Sequence, residues 1–85
     1  MATKHEFKIE IEQIGSTQTV VQLLDNQGEV VKENSVPLAN GFQHTLGVFR
    51  TLTKWNGELA EQGKSASGMK RALKTWNKRV DSYAR

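Results

Sequence analysis

The chain has 85 residues, 36% hydrophobic and 25% charged, with 12 Lys and Arg against 9 Asp and Glu for a formal net charge of +3. A chain of that length supports one small core, so a single domain over 1–85 is expected. The absence of cysteine excludes disulfides, zinc–thiolate sites, iron–sulfur clusters and thiol nucleophiles.

Met1 to Glu12 lacks the apolar stretch of a signal peptide, and no apolar run approaches the roughly 20 residues that cross a bilayer. The expectation is therefore a soluble, cytoplasmic protein with no membrane partner.

From His5 to Glu12 the pattern alternates, with Phe7, Ile9 and Ile11 on one side and Glu6, Lys8, Glu10 and Glu12 on the other. This period of two is the signature of a half-buried strand. Gly15-Ser16 breaks the run. Thr17 to Leu24 resumes it, and Asp25-Asn26-Gln27-Gly28 supplies turn chemistry, which predicts a hairpin. Glu29 to Val36 reads as a third strand because it follows a turn glycine and contains β-branched Val30 and Val31, and Pro37 marks where pairing ends. Short connections between the three predict an antiparallel meander within residues 5–36.

Asn40 and Gln43 have the spacing of a capping box, so a helix is expected over about 40–62. Phe42, Leu46, Phe49, Leu52, Trp55 and Leu59 recur every three or four residues and predict the face that covers the meander. Gly47 within it costs about 1 kcal/mol relative to alanine, which points to close packing. Gly63 to Gly68 reads as a short flexible connection of small residues. A second helix is expected over about 67–84, with Met69, Leu73, Trp76, Val80 and Tyr83 forming its apolar stripe. The fold class expected is α+β, a three-stranded antiparallel β-meander followed by two amphipathic helices.

Charge is divided unevenly along the chain. Residues 64–85 carry seven cations against Asp81, formally +6 (7 − 1), whereas residues 1–63 carry five cations against eight acids, formally −3 (5 − 8). Lys70, Arg71, Lys74, Lys78 and Arg85 fall together on the flank of the second helix away from its apolar stripe. Cations grouped on one surface can neutralise several phosphates, so these five are the candidate binding residues for an anionic partner. The bland alternative is a solvated helix face, which Lys and Arg also favour. Trp55, Trp76, Phe42 and Phe49 lie in phase with the helical stripes and are expected in the core, with Tyr83 the exception.

Gly63-Lys64-Ser65 is not a nucleotide-binding loop, because Glu58 stands where that motif needs its first glycine. Gly63 to Leu73, read as Gly-Lys-Ser-Ala-Ser-Gly-Met-Lys-Arg-Ala-Leu, resembles the turn and recognition helix of bacterial helix-turn-helix regulators. Leu59-Ala60-Glu61 before it is similar to the end of their first helix. The resemblance implies that Ser65, Ala66, Ser67, Lys70 and Arg71 approach a major groove, with Lys74 or Lys78 on phosphate. The chain departs from that pattern in a connection one residue short, in Lys64 at a usual aliphatic position, and in Gly68 at the helix entry.

His5 and His44 are the only histidines, and no spacing pairs them as ligand or base, so each is expected to be an ordinary polar position. Glu6, Glu10 and Glu12 are expected to form a solvent face. No catalytic, metal or cofactor residues are expected, and the chain reads as a binding protein rather than an enzyme. Its expected partner is nucleic acid, held through phosphates. The alternative is a protein-interaction module that docks on an acidic protein surface or through a strand edge, and a homo-oligomer is also compatible with exposed edges.

Overall fold

The computed structural model of the chain describes residues 5–38 and 41–84. It is α+β, with β1 (Phe7–Ile14), β2 (Gln18–Asp25), β3 (Val30–Pro37), α1 (Gly41–Glu61), β4 (Ala66–Ser67) and α2 (Met69–Ala84). The meander is present as expected, β1 with β2 and β2 with β3, both antiparallel. One strand was not expected from the sequence. Ala66 and Ser67 pair in parallel with Phe7 and Lys8, which extends the sheet to the order β3-β2-β1-β4. The proposed capping residue Asn40 and the candidate cation Arg85 lie outside the described residues.

Each turn follows from its glycine. Gly15, at φ +56°, precedes a bond from the Thr17 N–H to the Ile14 carbonyl (3.3 Å), a geometry that a residue with a Cβ reaches only with strain. At the second turn, Asp25 accepts the N–H groups of Gln27 and Glu29 on Oδ1, both at 2.9 Å, while Gly28 takes φ +84°. Asp25 thereby replaces backbone partners that the chain reversal removes. Beyond this turn the β2–β3 register shifts by one residue between Leu23 and Leu24, leaving an extra residue in β3.

One face of the sheet is packed. Ile9, Val21, Leu23 and Val36 meet Val48, Leu52, Trp55, Leu59, Ala66, Met69 and Trp76 in a continuous core. Val30 and Val31, by contrast, are about half exposed, because β3 is an edge strand and α1 covers only its far part.

α1 lies along β3, as three paired contacts show. Gly47 sits against Val36, where a Cβ would come 2.9 Å from Val36 Cγ1. Asn34 Nδ2 donates to Thr51 Oγ1 (2.8 Å), and Lys32 pairs with Glu58. β3 therefore runs backward from Val36 to Lys32 as α1 runs forward from Gly47 to Glu58. The close packing expected at Gly47 is real, and Val36 is the group that requires it.

The inward face of α1 differs from the apolar stripe. The buried residues are His44, Thr45, Val48, Leu52, Trp55 and Leu59, whereas Phe42, Leu46 and Phe49 are half-buried on the flank. Two polar residues tolerate the inward position because both are satisfied. Thr45 Oγ1 donates to the Gly41 carbonyl (2.8 Å), and His44 Nε2 shares a 2.7 Å hydrogen bond with Thr19 Oγ1. His44 is thus a buried polar residue of the core with a specific partner, rather than merely an ordinary polar position.

Candidate anion-binding surface

The corner that carries α2 is built from residues the sequence suggested were a flexible connection. α1 ends with Gly63 at φ +68°, and the N–H groups of Gly63 and Lys64 return to the carbonyls of Ala60 (3.0 Å) and Leu59 (2.9 Å). This pair of bonds is a Schellman motif, which satisfies the last carbonyls of the helix. The chain then fastens to β1. Phe7 N–H donates to the Ser65 carbonyl (3.3 Å), Ser65 N–H donates to Glu6 Oε2 (3.2 Å), and His5 Nδ1 lies 2.8 Å from Ser65 Oγ. The Ser65 N–H is the main reason the Glu6 carboxyl sits below its ordinary range, with Lys64 and His5 adding to the effect. Glu6 is exposed, as expected, and in addition fastens this corner through the Ser65 N–H.

Gly68, at φ +83°, starts α2 by accepting the Ala72 N–H (2.9 Å). Seven residues, 62–68, separate the two helices, and Ala66 among them is buried. The helix-turn-helix resemblance required Ala66 at a groove-facing position. Its methyl instead fills the core beside β1, so that part of the expectation is corrected.

Four of the five candidate cations are placed together. Lys70, Arg71, Lys74 and Lys78 are all exposed on α2. At about 100° per residue they occupy an arc of about 100°. The ion pairs within 4.0 Å among the described residues, Lys8–Glu10 at 3.4 Å and Lys32–Glu58, both lie elsewhere. Asp81 falls in the same arc and bounds the stripe beyond Lys78. Lys70, Arg71 and Lys74 also line an open groove of about 650 Å³ with His5, Ser67 and Gly68, floored by Ala66.

Other cations of the basic segment have different work. The Arg79 guanidinium lies 4.4 Å over the Trp76 ring, and Lys64 Nζ lies 5.7 Å from the centre of the Phe7 ring. Both lie over aromatic rings that border the core. Trp55 and Trp76 are buried in the core, as expected. Tyr83 is 54% exposed, as the sequence suggested, and stands edge-on to Phe42 at 5.7 Å.

The surface offers fixed positive charges on exposed side chains. Among the described residues no group of three or more His, Asp or Glu could hold a metal ion. No described helix is long and apolar enough to cross a membrane. Sequence reasoning missed a second cationic place, where Arg50 and Lys54 line an open groove of about 490 Å³ between α1 and β3. Their four-residue spacing off the apolar stripe was the available signal, but only the pairing of α1 with β3 shows what they face. In comparisons with protein-family models, curated proteins and solved structures, nothing matches this chain.

Proposed function

We propose that this chain is a small non-enzymatic binding protein whose α2 flank contacts nucleic acid through backbone phosphates. The observation that carries this reading is the grouping of Lys70, Arg71, Lys74 and Lys78 on one exposed arc, with no carboxylate paired to them among the described residues. Asp81 offsets part of this charge within the arc, but four cations against one acid leave a net positive field directed outward. The groove at the start of the arc gives a backbone phosphate a recess in which Lys70, Arg71 and Lys74 converge. Contacts of this kind position a protein on nucleic acid with little sequence readout.

The test is a titration of labelled single- and double-stranded DNA and RNA at two salt concentrations. Four phosphate contacts imply a fall in affinity on the order of a hundredfold between about 50 and 200 mM salt. Binding that is absent at the lower salt, or that is equally tight at both, removes this reading.

A further inference from the structure

The groove between α1 and the outer edge of β3 is independent of the α2 surface and carries a different inference. β3 is an edge strand over its whole length, and the backbone parity of that edge follows from two observations. Leu38 N–H donates to the Thr17 carbonyl (3.1 Å), and in the β2–β3 register Thr17 and Leu38 would be the next pair beyond Gln18 and Pro37. Hydrogen-bonded and non-bonded pairs alternate along an antiparallel ladder, so Val36 and Asn34 bond to β2 while Pro37, Ser35 and Glu33 turn their backbone groups outward. Pro37 agrees with this assignment, because a residue without an N–H fits a strand only where that position faces away from the ladder. Ser35 and Glu33 therefore turn their N–H and C=O groups away from β2, and no other backbone partner meets them among the described residues.

Directly beside that edge stand Arg50 and Lys54, one helical turn apart on α1. No carboxylate lies within ion-pairing distance of either among the described residues. The neighbouring acids are engaged: Glu58 is bound by Lys32, which with Lys54 keeps its carboxyl below the ordinary range, and Glu33 accepts from Gln22 Nε2 (2.7 Å). The spacings also match. Residues four apart on a helix rise about 6 Å, and alternate residues of a strand are separated by about 6.6 Å. A strand added to β3 would thus bring every second side chain under a cation of α1. Val30 and Val31, half exposed on the same edge, add apolar surface next to it.

We infer that the β3–α1 groove binds an extended acidic peptide segment of another protein by strand addition to β3, with alternate Asp or Glu side chains on Arg50 and Lys54. Backbone bonds supply the affinity in this mode of recognition, and the side chains that enter the groove supply the selectivity.

The experiment uses the full chain and a set of labelled peptides of about nine residues that alternate Glu with Val, Ile or Thr, alongside the same set with Lys in place of Glu. Binding is read by fluorescence anisotropy and by amide chemical shifts. The acidic set is expected to bind and to shift amides of β3 and α1, and the lysine set is expected not to bind. Arg50→Glu with Lys54→Glu weakens binding by about tenfold or more. Ser35→Pro removes an outward N–H without touching the β2 ladder and abolishes binding, with the amide spectrum confirming that the variant is folded. Lys74→Glu with Lys78→Glu leaves peptide binding unchanged, which separates this groove from the α2 surface. No acidic peptide binding at about 1 mM overturns the inference, as does binding that survives Ser35→Pro. A concentration-dependent dimer that Ser35→Pro dissolves and no acidic peptide displaces would assign the edge to a second copy, and also overturns it.

Discussion

The two helices share an amphipathic pattern but serve the molecule differently. α1 places six residues fully inward and is tied to β3 by Gly47 on Val36, Thr51 with Asn34, and Glu58 with Lys32. α2 buries only Met69 and Trp76 among its described side chains and leaves four cations outward, with no ion pair to them among the described residues. The difference teaches that an apolar stripe of similar spacing does not measure how far a helix is committed to the core. α1 is committed along nearly its whole length, whereas α2 packs through Met69 and Trp76 with Ala72 and Leu73 partly buried beside them, which leaves its opposite face exposed.

The sharpest way to break this contrast is to remove volume from α1. Leu52 is fully buried, and Leu52→Ala is expected to cost about 3 kcal/mol in chemical denaturation. Next is the helix–strand approach: Gly47→Val places methyl groups against Val36 and is expected to cost about 2 kcal/mol. Gly57, on the same helix, has open space around it, so Gly57→Ala is expected to add about 1 kcal/mol. Equal effects at the two glycines would contradict the close seam between α1 and β3.

A pH series probes the inward polar contact of α1. His44 is held below its ordinary pKa of 6.5 by burial first and by the Arg79 charge second. The unfolded chain therefore takes up this proton at higher pH than the folded one. Stability from this group is complete above about pH 6.5 and declines as pH falls through the folded-state value. The thermal midpoint should drop over that range in the native chain, and His44→Gln should flatten the drop. The smallest stability change is expected on α2, where Lys74→Glu with Lys78→Glu shifts stability by less than about 0.5 kcal/mol per site. A large loss there would make these lysines structural.

Much of the fold is legible in the sequence because local chemistry and burial agree. The alternation in β1, the turn at Asp25 to Gly28 and the end of β3 at Pro37 each have a short-range cause. β4 does not, since two residues pair with β1 only because the Schellman turn at Gly63 and the Glu6–Ser65 contact deliver them there. The inward turn of His44 and Thr45 was equally hidden. It depends on Thr19, 25 residues away, sharing a hydrogen bond with a ring that hydrophobicity ranks as polar. For the candidate surface, helical spacing alone locates Lys70, Arg71, Lys74 and Lys78. The second cationic groove needs the sheet order, because nothing local relates Arg50 and Lys54 to the free edge of β3.

The most direct measurement is the dependence of nucleic-acid affinity on salt concentration in the native chain and in the Lys74→Gln, Lys78→Gln variant. If α2 neutralises phosphates, log affinity falls linearly with log salt, and the double substitution reduces the slope by about 2, one for each contact removed. A slope that is the same in both proteins would contradict a phosphate-binding role for this face of α2.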